Sequence, residues 1–151
     1  MEFPLTDEQK AARQLARDFA QKRLAKVQEE DERKHIFRRE IFKEMGGLGF
    51  FATIMPEEWG GNGAGYLATV LTVEEMARAS ASYSMAVVGQ TLGTGTIILH
   101  HGTQEQKEKY LPGLVSGEII GSFAATEPNV GSDVASIETT ATETDDGFIL
   151  N

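Results

Sequence analysis

Phe123-Ala-Ala-Thr-Glu-Pro-Asn-Val-Gly-Ser-Asp133 is the stretch on which the reading of this chain turns. The overlapping segment Ile119-Ile-Gly-Ser-Phe-Ala-Ala-Thr126 predicts a strand. That strand delivers a hydroxyl residue, Thr126, to a loop stiffened by Pro128, where Asn129 and Gly131 are types that tolerate unusual dihedrals. Gly131 has no Cβ, so backbone N–H groups beside it can approach a planar or anionic ligand. Thr126 and Ser132 offer hydroxyls that donate or accept. Residue chemistry alone leaves two readings: a ligand-holding loop, or an ordinary Asn/Gly turn capped by Asp133.

Toward the C-terminus the pattern stays β. Glu138 to Thr144, the turn Asp145-Asp-Gly147, and Phe148 to Asn151 read as a hairpin. Toward the N-terminus the period is helical. Thr6-Asp-Glu-Gln9 is a capping box, and Ala12, Leu15, Ala16, Phe19 and Ala20 follow at helical spacing. This predicts a first helix from near Asp7 to about Lys34, with Glu29-Glu-Asp-Glu32 as a solvated face or helix end. A second helix is predicted from Arg38 to Met45, ended by Gly46-Gly47. Trp59-Gly-Gly-Asn-Gly-Ala-Gly65 is a loop, since each glycine costs a helix about 1 kcal/mol. A third helix is predicted over Tyr66–Ala81, with Leu67, Val70, Leu71, Glu74 and Met76 mixing an apolar stripe with charges. A fourth, Ser84–His100, is apolar enough to be buried on most sides. Thr103-Gln-Glu-Gln106 is a second capping box and opens a fifth helix, with a kink or break at Pro112. The chain therefore reads as mainly α: an all-α domain over 1–117, then the start of a β domain over 118–151.

Composition excludes several classes. The chain has 151 residues, 40% hydrophobic and 25% charged, which suits a globular protein. A net charge of −9 argues against nucleic-acid partners and against an anionic membrane surface. There is no cysteine, so disulfide and thiolate chemistry are out. The start Met1-Glu-Phe-Pro-Leu-Thr-Asp7 is not a signal peptide, and no apolar run reaches the ~18 residues of a membrane span.

Three further features invite chemistry. The Gly60–Gly65 loop lacks the Gly-Lys-Ser/Thr ending of a P-loop and the G-x-G-x-x-G spacing, so a tight surface turn is the better reading. His100-His101 point different ways on a helix and do not have metal-pair spacing; no metal site is expected. Gly89, Gly93 and Gly95, with Thr91, Thr94 and Thr96, let another helix or a ligand come close. Both readings of that stripe stay open.

Residues 126–133, a Thr-Glu-Pro followed two residues later by Gly-Ser-Asp, closely resemble the first sequence motif of the acyl-CoA dehydrogenase family. Leu5-Thr-Asp-Glu-Gln9 resembles that family's opening helix. Pro56-Glu-Glu-Trp-Gly-Gly61 looks like its Pro-x-x-x-Gly-Gly loop, and Gly102 to Pro112 looks like the stretch before its β domain. The agreement in order and spacing covers essentially the whole chain.

The resemblance implies an N-terminal helical domain followed by the first strands of a β-barrel-like middle domain, with a C-terminal four-helix domain missing and the chain incomplete. It implies non-covalent FAD, α,β-dehydrogenation of an acyl-CoA thioester to the 2,3-enoyl-CoA, and electron transfer to an electron-transfer flavoprotein. A homotetramer is expected, in the bacterial cytoplasm or the mitochondrial matrix. By matched position, Phe123, Ala125, Thr126, Gly131 and Ser132 would contact the flavin. Ser132, Gln90, Thr91, Thr94 and Thr96 would face the acyl-CoA. Phe123 departs from the family's usual tyrosine or cysteine, losing a hydroxyl but keeping a flat surface. No catalytic residue is expected here: the family's usual base, a glutamate, lies in its C-terminal domain, and a flavin-packing tryptophan motif would follow Asn151. A short or cyclic acyl group is preferred. Glu138-Thr139 leans toward the glutaryl-CoA-type branch, but Gln90–Thr96 has no arginine for a second carboxylate. An acyl-CoA oxidase and a non-catalytic binding or assembly module of the same fold are the alternatives.

Overall fold

The structure, a computed structural model, describes residues 4–151; the N-terminal reading of Met1–Phe3 lies outside the described residues. Among the described residues seven α-helices carry the fold: α1 (Asp7–Phe19), α2 (Gln28–Lys34), α3 (Arg39–Gly47), α4 (Gly65–Ala77), α5 (Ala81–Val88), α6 (Thr96–His101) and α7 (Gln104–Ser116). A two-stranded antiparallel sheet of β1 (Ala141–Thr144) and β2 (Gly147–Leu150) follows. Among the described residues no helix is long and apolar enough to cross a membrane.

Both capping boxes form. The Gln9 N–H donates to Thr6 Oγ1 at 3.2 Å, and the Thr6 N–H donates to Gln9 Oε1 at 3.0 Å. Thr103 and Gln106 repeat the exchange at 3.2 and 2.8 Å. Each box satisfies N–H groups that a helix start otherwise leaves orphaned.

The first helix does not run unbroken to Lys34. α1 passes into a wide π turn at Ala20–Leu24, which keeps Ala20 and Leu24 both inside the core. The chain then turns, Val27 packs against that core, and α2 starts afresh with Glu29, Glu30 and Asp31 at its positive end. The acidic run is more than a solvated face. Asp31 is buried and takes the Arg38 guanidinium at 2.7–3.0 Å; Glu32 accepts from Ser82 Oγ at 2.7 Å.

α3 ends at Gly46-Gly47 as expected, the two glycines forming its last two residues. A Cβ on Gly46 would stand 2.1 Å from the Ser116 carbonyl oxygen, so α3 and α7 touch there through backbone. Gly46→Ala should gain up to about 1 kcal/mol of helix propensity. The clash outweighs it, and we expect a net loss of about 2 kcal/mol in urea unfolding.

The third and fourth helices meet earlier than their composition predicts. Ser80 caps α5, accepting from the Tyr83 N–H at 3.4 Å, because a short hydroxyl side chain competes for backbone at a helix start. The stripe on α4 also differs from the one read in sequence. Ala68, Leu71, Thr72, Glu75 and Met76 are buried, while Leu67 and Val70 are exposed. α5, a second π turn at Gly89–Gly95, and α6 run on as one helical rod. It is not buried on most sides: Met85, Leu92 and Ile97 face outward.

Pro112 does not break α7, because Leu111, Leu114 and Val115 anchor the helix in the core on both sides of it. Gly117, at φ +75°, ends α7 in the left-handed conformation glycine favours. One core cluster joins α1, α3, α4 and α5 around Phe19, Phe42, Phe50 and Phe51; a second packs Met55 and Trp59 on Leu111 and Leu114.

Ile119–Thr126 is extended but not a strand. Among the described residues no neighbouring segment supplies a ladder, and side chains hold it instead. The hairpin forms as expected, pairing Ala141 with Leu150 and Thr144 with Gly147. Its loop is Asp145-Asp146, and Gly147 opens β2 at φ +145° rather than sitting in the turn.

Candidate functional site

The two groups singled out in the sequence, the Gly/Thr stretch and the loop after residue 118, meet in space. Gln90 is the hinge of that contact. Its side chain is only 2% exposed, and its Nε2 donates to the Leu114 carbonyl and to the Ile119 carbonyl, each at 2.7 Å. Its Oε1 accepts from the Gly121 N–H at 2.8 Å. Both amide protons are thereby used. Thr94 Oγ1 donates to the Ser122 carbonyl at 3.1 Å. A Cβ on Gly121 would lie 2.6 Å from that threonine, and one on Gly93 would lie 3.9 Å from Phe123 Cβ.

The remaining threonines bond to their own helix. Thr91, fully buried, donates to the Val87 carbonyl at 2.5 Å, and Thr96 donates to the Thr91 carbonyl at 2.8 Å. Such back-bonding suits the π turn, where carbonyls are displaced from regular α partners. Gln90 and Thr91 are thus buried, while Thr94 and Thr96 stay half-buried at the surface.

Beyond Ser122 the loop opens outward. Phe123 is 65% exposed, and Thr126, Gly131 and Ser132 are exposed, with Ala125 half-buried. Among the described residues, the backbone N–H groups of Phe123–Thr126 have no hydrogen-bond partner. Glu127 and Val130 then close a tight turn, exchanging N–H···O bonds of 3.0 and 3.2 Å. Neither Asn129 nor Gly131 adopts a positive φ, so the turn does not need the tolerance read into those residue types. No atom lies within 4 Å of a Cβ placed on Gly131. Asp133 accepts from Ser136 Oγ at 2.6 Å and starts a short 3-10 turn, Val134–Ser136.

Glu127 is a site residue the motif reading missed. Its carboxylate accepts the N–H groups of Thr139 at 2.8 Å and Glu138 at 3.0 Å, tying the loop to the chain entering the hairpin. Those bonds, from Thr139 first, hold its carboxyl below the ordinary glutamate range. The signal was its place next to Pro128 on a turn, where a carboxylate can reach neighbouring backbone N–H groups.

The remaining candidates stay apart from this strip. His100 and His101 are exposed at the end of α6, and no group of three ligand-type residues gathers among the described residues. Gly60–Gly65 forms surface turns, as expected, with Gly60 and Gly63 at positive φ. A cleft of about 840 Å3 beside α1, lined in part by Gln9, Leu15, Asn62 and Thr72, shares no residue with the strip.

The fold agrees with the comparisons. The family described as acyl-CoA dehydrogenase, N-terminal domain, matches residues 6–118, and the chain belongs to the acyl-CoA dehydrogenase family. It is 43% identical over 141 residues to an acryloyl-CoA reductase (NADH) of Anaerotignum propionicum, covering 93% of this chain and 36% of that protein. It is 40% identical over 149 residues to mitochondrial isovaleryl-CoA dehydrogenase of Pongo abelii, covering 97% of this chain and 35% of that one. Among solved structures, glutaryl-CoA dehydrogenase with glutaryl-CoA superposes at a TM-score of 0.93 with 36% identity, over all of this chain and 39% of that one. A chain from a structure titled for the electron transferring flavoprotein of Acidaminococcus fermentans also gives 0.93 with 37% identity, over 100% and 40%. The FAD complex of PigA gives 0.88 with 30% identity, again over 100% and 40%. The chain thus spans well under half the length of the relatives it matches.

Proposed function

We propose that this chain is the N-terminal portion of an FAD-dependent acyl-CoA dehydrogenase, divided into a helical domain over 1–117 and the start of a β domain over 118–151. One observation carries the reading. The Gly/Thr π turn and the start of the Phe123–Ser132 loop, matched separately to the family's acyl-side and flavin-side residues, lie against each other at Thr94–Ser122 and Gly93–Phe123.

The residues fit FAD. Phe123 supplies an exposed flat face, Ala125 and Thr126 supply uncommitted backbone donors, and Thr126 and Ser132 are exposed hydroxyl residues. The space around Gly131 is open, so a ligand can approach the backbone there. Bound FAD would supply the hydride acceptor; the protein's part is to orient it and tune it by hydrogen bonds. Ser132 and the Thr94–Thr96 side of the π turn face the acyl-CoA, with Gln90 and Thr91 shaping the wall behind them.

The substrate is a short or cyclic acyl thioester converted to its 2,3-enoyl form. The electron acceptor would be an electron-transfer flavoprotein, and the protein would be a homotetramer of the cytoplasm or, in a eukaryote, the mitochondrial matrix. The 43% identity to an acryloyl-CoA reductase supports a second reading, the same chemistry run toward saturation. The full-length protein, purified gently, should show a visible flavin band; its absence refutes the enzyme reading and favours a binding or assembly module. Anaerobic bleaching by a panel of acyl-CoA esters then names the substrate. Thr126→Ala should lower FAD retention at least several-fold, as expected for loss of one hydrogen bond worth about 1 kcal/mol. Unchanged flavin content and turnover would remove Thr126 from the site.

A further inference from the structure

We propose that Gln90 is a positioning residue for the flavin loop, acting through a lock it forms with Gly121 and Thr94. The inference rests on the flavin reading above and goes beyond it. It gives a residue matched to the acyl wall a different task.

The lock gathers three parts of the chain. Gln90 sits in the π turn, and one amide takes the end of α7 through the Leu114 carbonyl. The same amide takes the outgoing chain on both sides of Ile120, through the Ile119 carbonyl and the Gly121 N–H. Thr94, on the same turn, adds the Ser122 carbonyl. Ile119 gains one further anchor, its N–H donating to the Gly113 carbonyl at 3.0 Å. These bonds stop at Ser122, one residue before Phe123. From there the backbone N–H groups have no protein partner among the described residues. Among the described residues the lock is thus the last anchor before Phe123–Thr126, and the Glu127 turn is the next one after it.

Burial makes the lock stiff. The Gln90 side chain is held away from water, so its bonds are shielded from solvent, and losing them leaves the Ile119 carbonyl and the Gly121 N–H without that partner. Gly121 completes it, since any Cβ there would press on Thr94 and lift the segment off the turn.

The test uses the full-length protein and Gln90→Met, which keeps the length of the side chain and removes every hydrogen bond. Hydrogen exchange is read first, without FAD. Exchange at the Gly121 and Ile119 amides should rise at least about tenfold while α1 is unchanged, since each bond lost is worth about 1 kcal/mol and several are lost together. FAD is then added. The flavin band should shift and FAD retention should fall, with kcat reduced more than KM is raised. Gly121→Ala, which leaves Gln90 in place, should move the same readings in the same direction, and covers the case in which Gln90→Met does not fold. Unchanged exchange in the variant that folds overturns the lock. Raised exchange with an unaltered flavin band and unaltered FAD retention overturns the positioning role. Wild-type protein that takes up no FAD overturns the flavin reading itself, while its exchange pattern still reports whether the lock exists.

Discussion

Phe42→Ala is expected to lower the unfolding free energy by about 4 kcal/mol, the range seen when a buried aromatic is removed and its space cannot close. Phe42 is 1% exposed and sits where α3 meets the segment after it. Its ring centroid lies 4.5 Å from that of Phe51 and 5.7 Å from that of Phe37. Collapse into the hole is hindered because α3 is pinned on α7 by the backbone contact at Gly46. A conservative Phe42→Leu should cost roughly half as much, since most of the volume is retained. Urea unfolding monitored by circular dichroism reads both; a loss below about 2 kcal/mol for the alanine variant would show that the core relaxes freely.

The second large effect concerns Glu75, a carboxylate 2% exposed on α4. Arg13 Nε reaches it at 2.8 Å, and Arg17 holds it with Nη2 at 2.7 Å and Nε at 3.0 Å. Those bonds, from Arg17 above all, bring its carboxyl down to about 2 against the desolvation that would raise it. Removing both arginines leaves the buried charge only the distant Arg78 Nε at 3.7 Å, so Arg13→Ala with Arg17→Ala should cost about 3 kcal/mol at pH 7. Glu75→Leu should cost far less, because an apolar residue of similar size replaces a desolvated group and both arginines, about a third exposed, turn to water. Acid tests the same cluster. The unfolded chain protonates this glutamate near its ordinary 4.5, the folded one near about 2. Its contribution is complete above about 4.5 and is lost as pH falls toward 2. Wild type should therefore weaken across that window, and Glu75→Leu should lose correspondingly less. Equal acid sensitivity in the two proteins would place the stabilising charge elsewhere.

Much of the helical frame was legible because its signals are local. Thr6 and Thr103 with glutamines three residues on fixed two helix starts, and Asp-Gly fixed the hairpin. The errors and omissions fall where distant residues decide. Gly46-Gly47 reads rightly as a stop, but nothing local shows that Ser116 lies against it. Nothing local marks Glu75 among the charges of α4 until α1 brings two arginines over it. Leu67 and Val70 look like core because α4 is apolar on two sides, and nothing local says which side the rest of the fold covers. Ile119–Thr126 has the composition of a strand, but a ladder is a property of two segments, and composition describes only one. Within the candidate site, sequence found the loop and the Gly/Thr stretch as separate features. Gln90 could not be read as their connector, since an amide's partners here are backbone groups 24 to 31 residues away, which have no sequence identity to recognise.

The π turn at Gly89–Gly95 carries one consequence for how this rod tolerates change. Such a turn amounts to one extra residue inserted into an α-helix. Deleting a single residue between Thr91 and Gly95 would leave a regular helix, so total helix content would hardly alter. Because the wide turn takes up its extra residue locally, everything after the cut would keep nearly its present side toward α7, and Gln90 would stay in place before it. The widened turn thus acts as slack in the rod: a residue can be lost there while each half keeps its own neighbour.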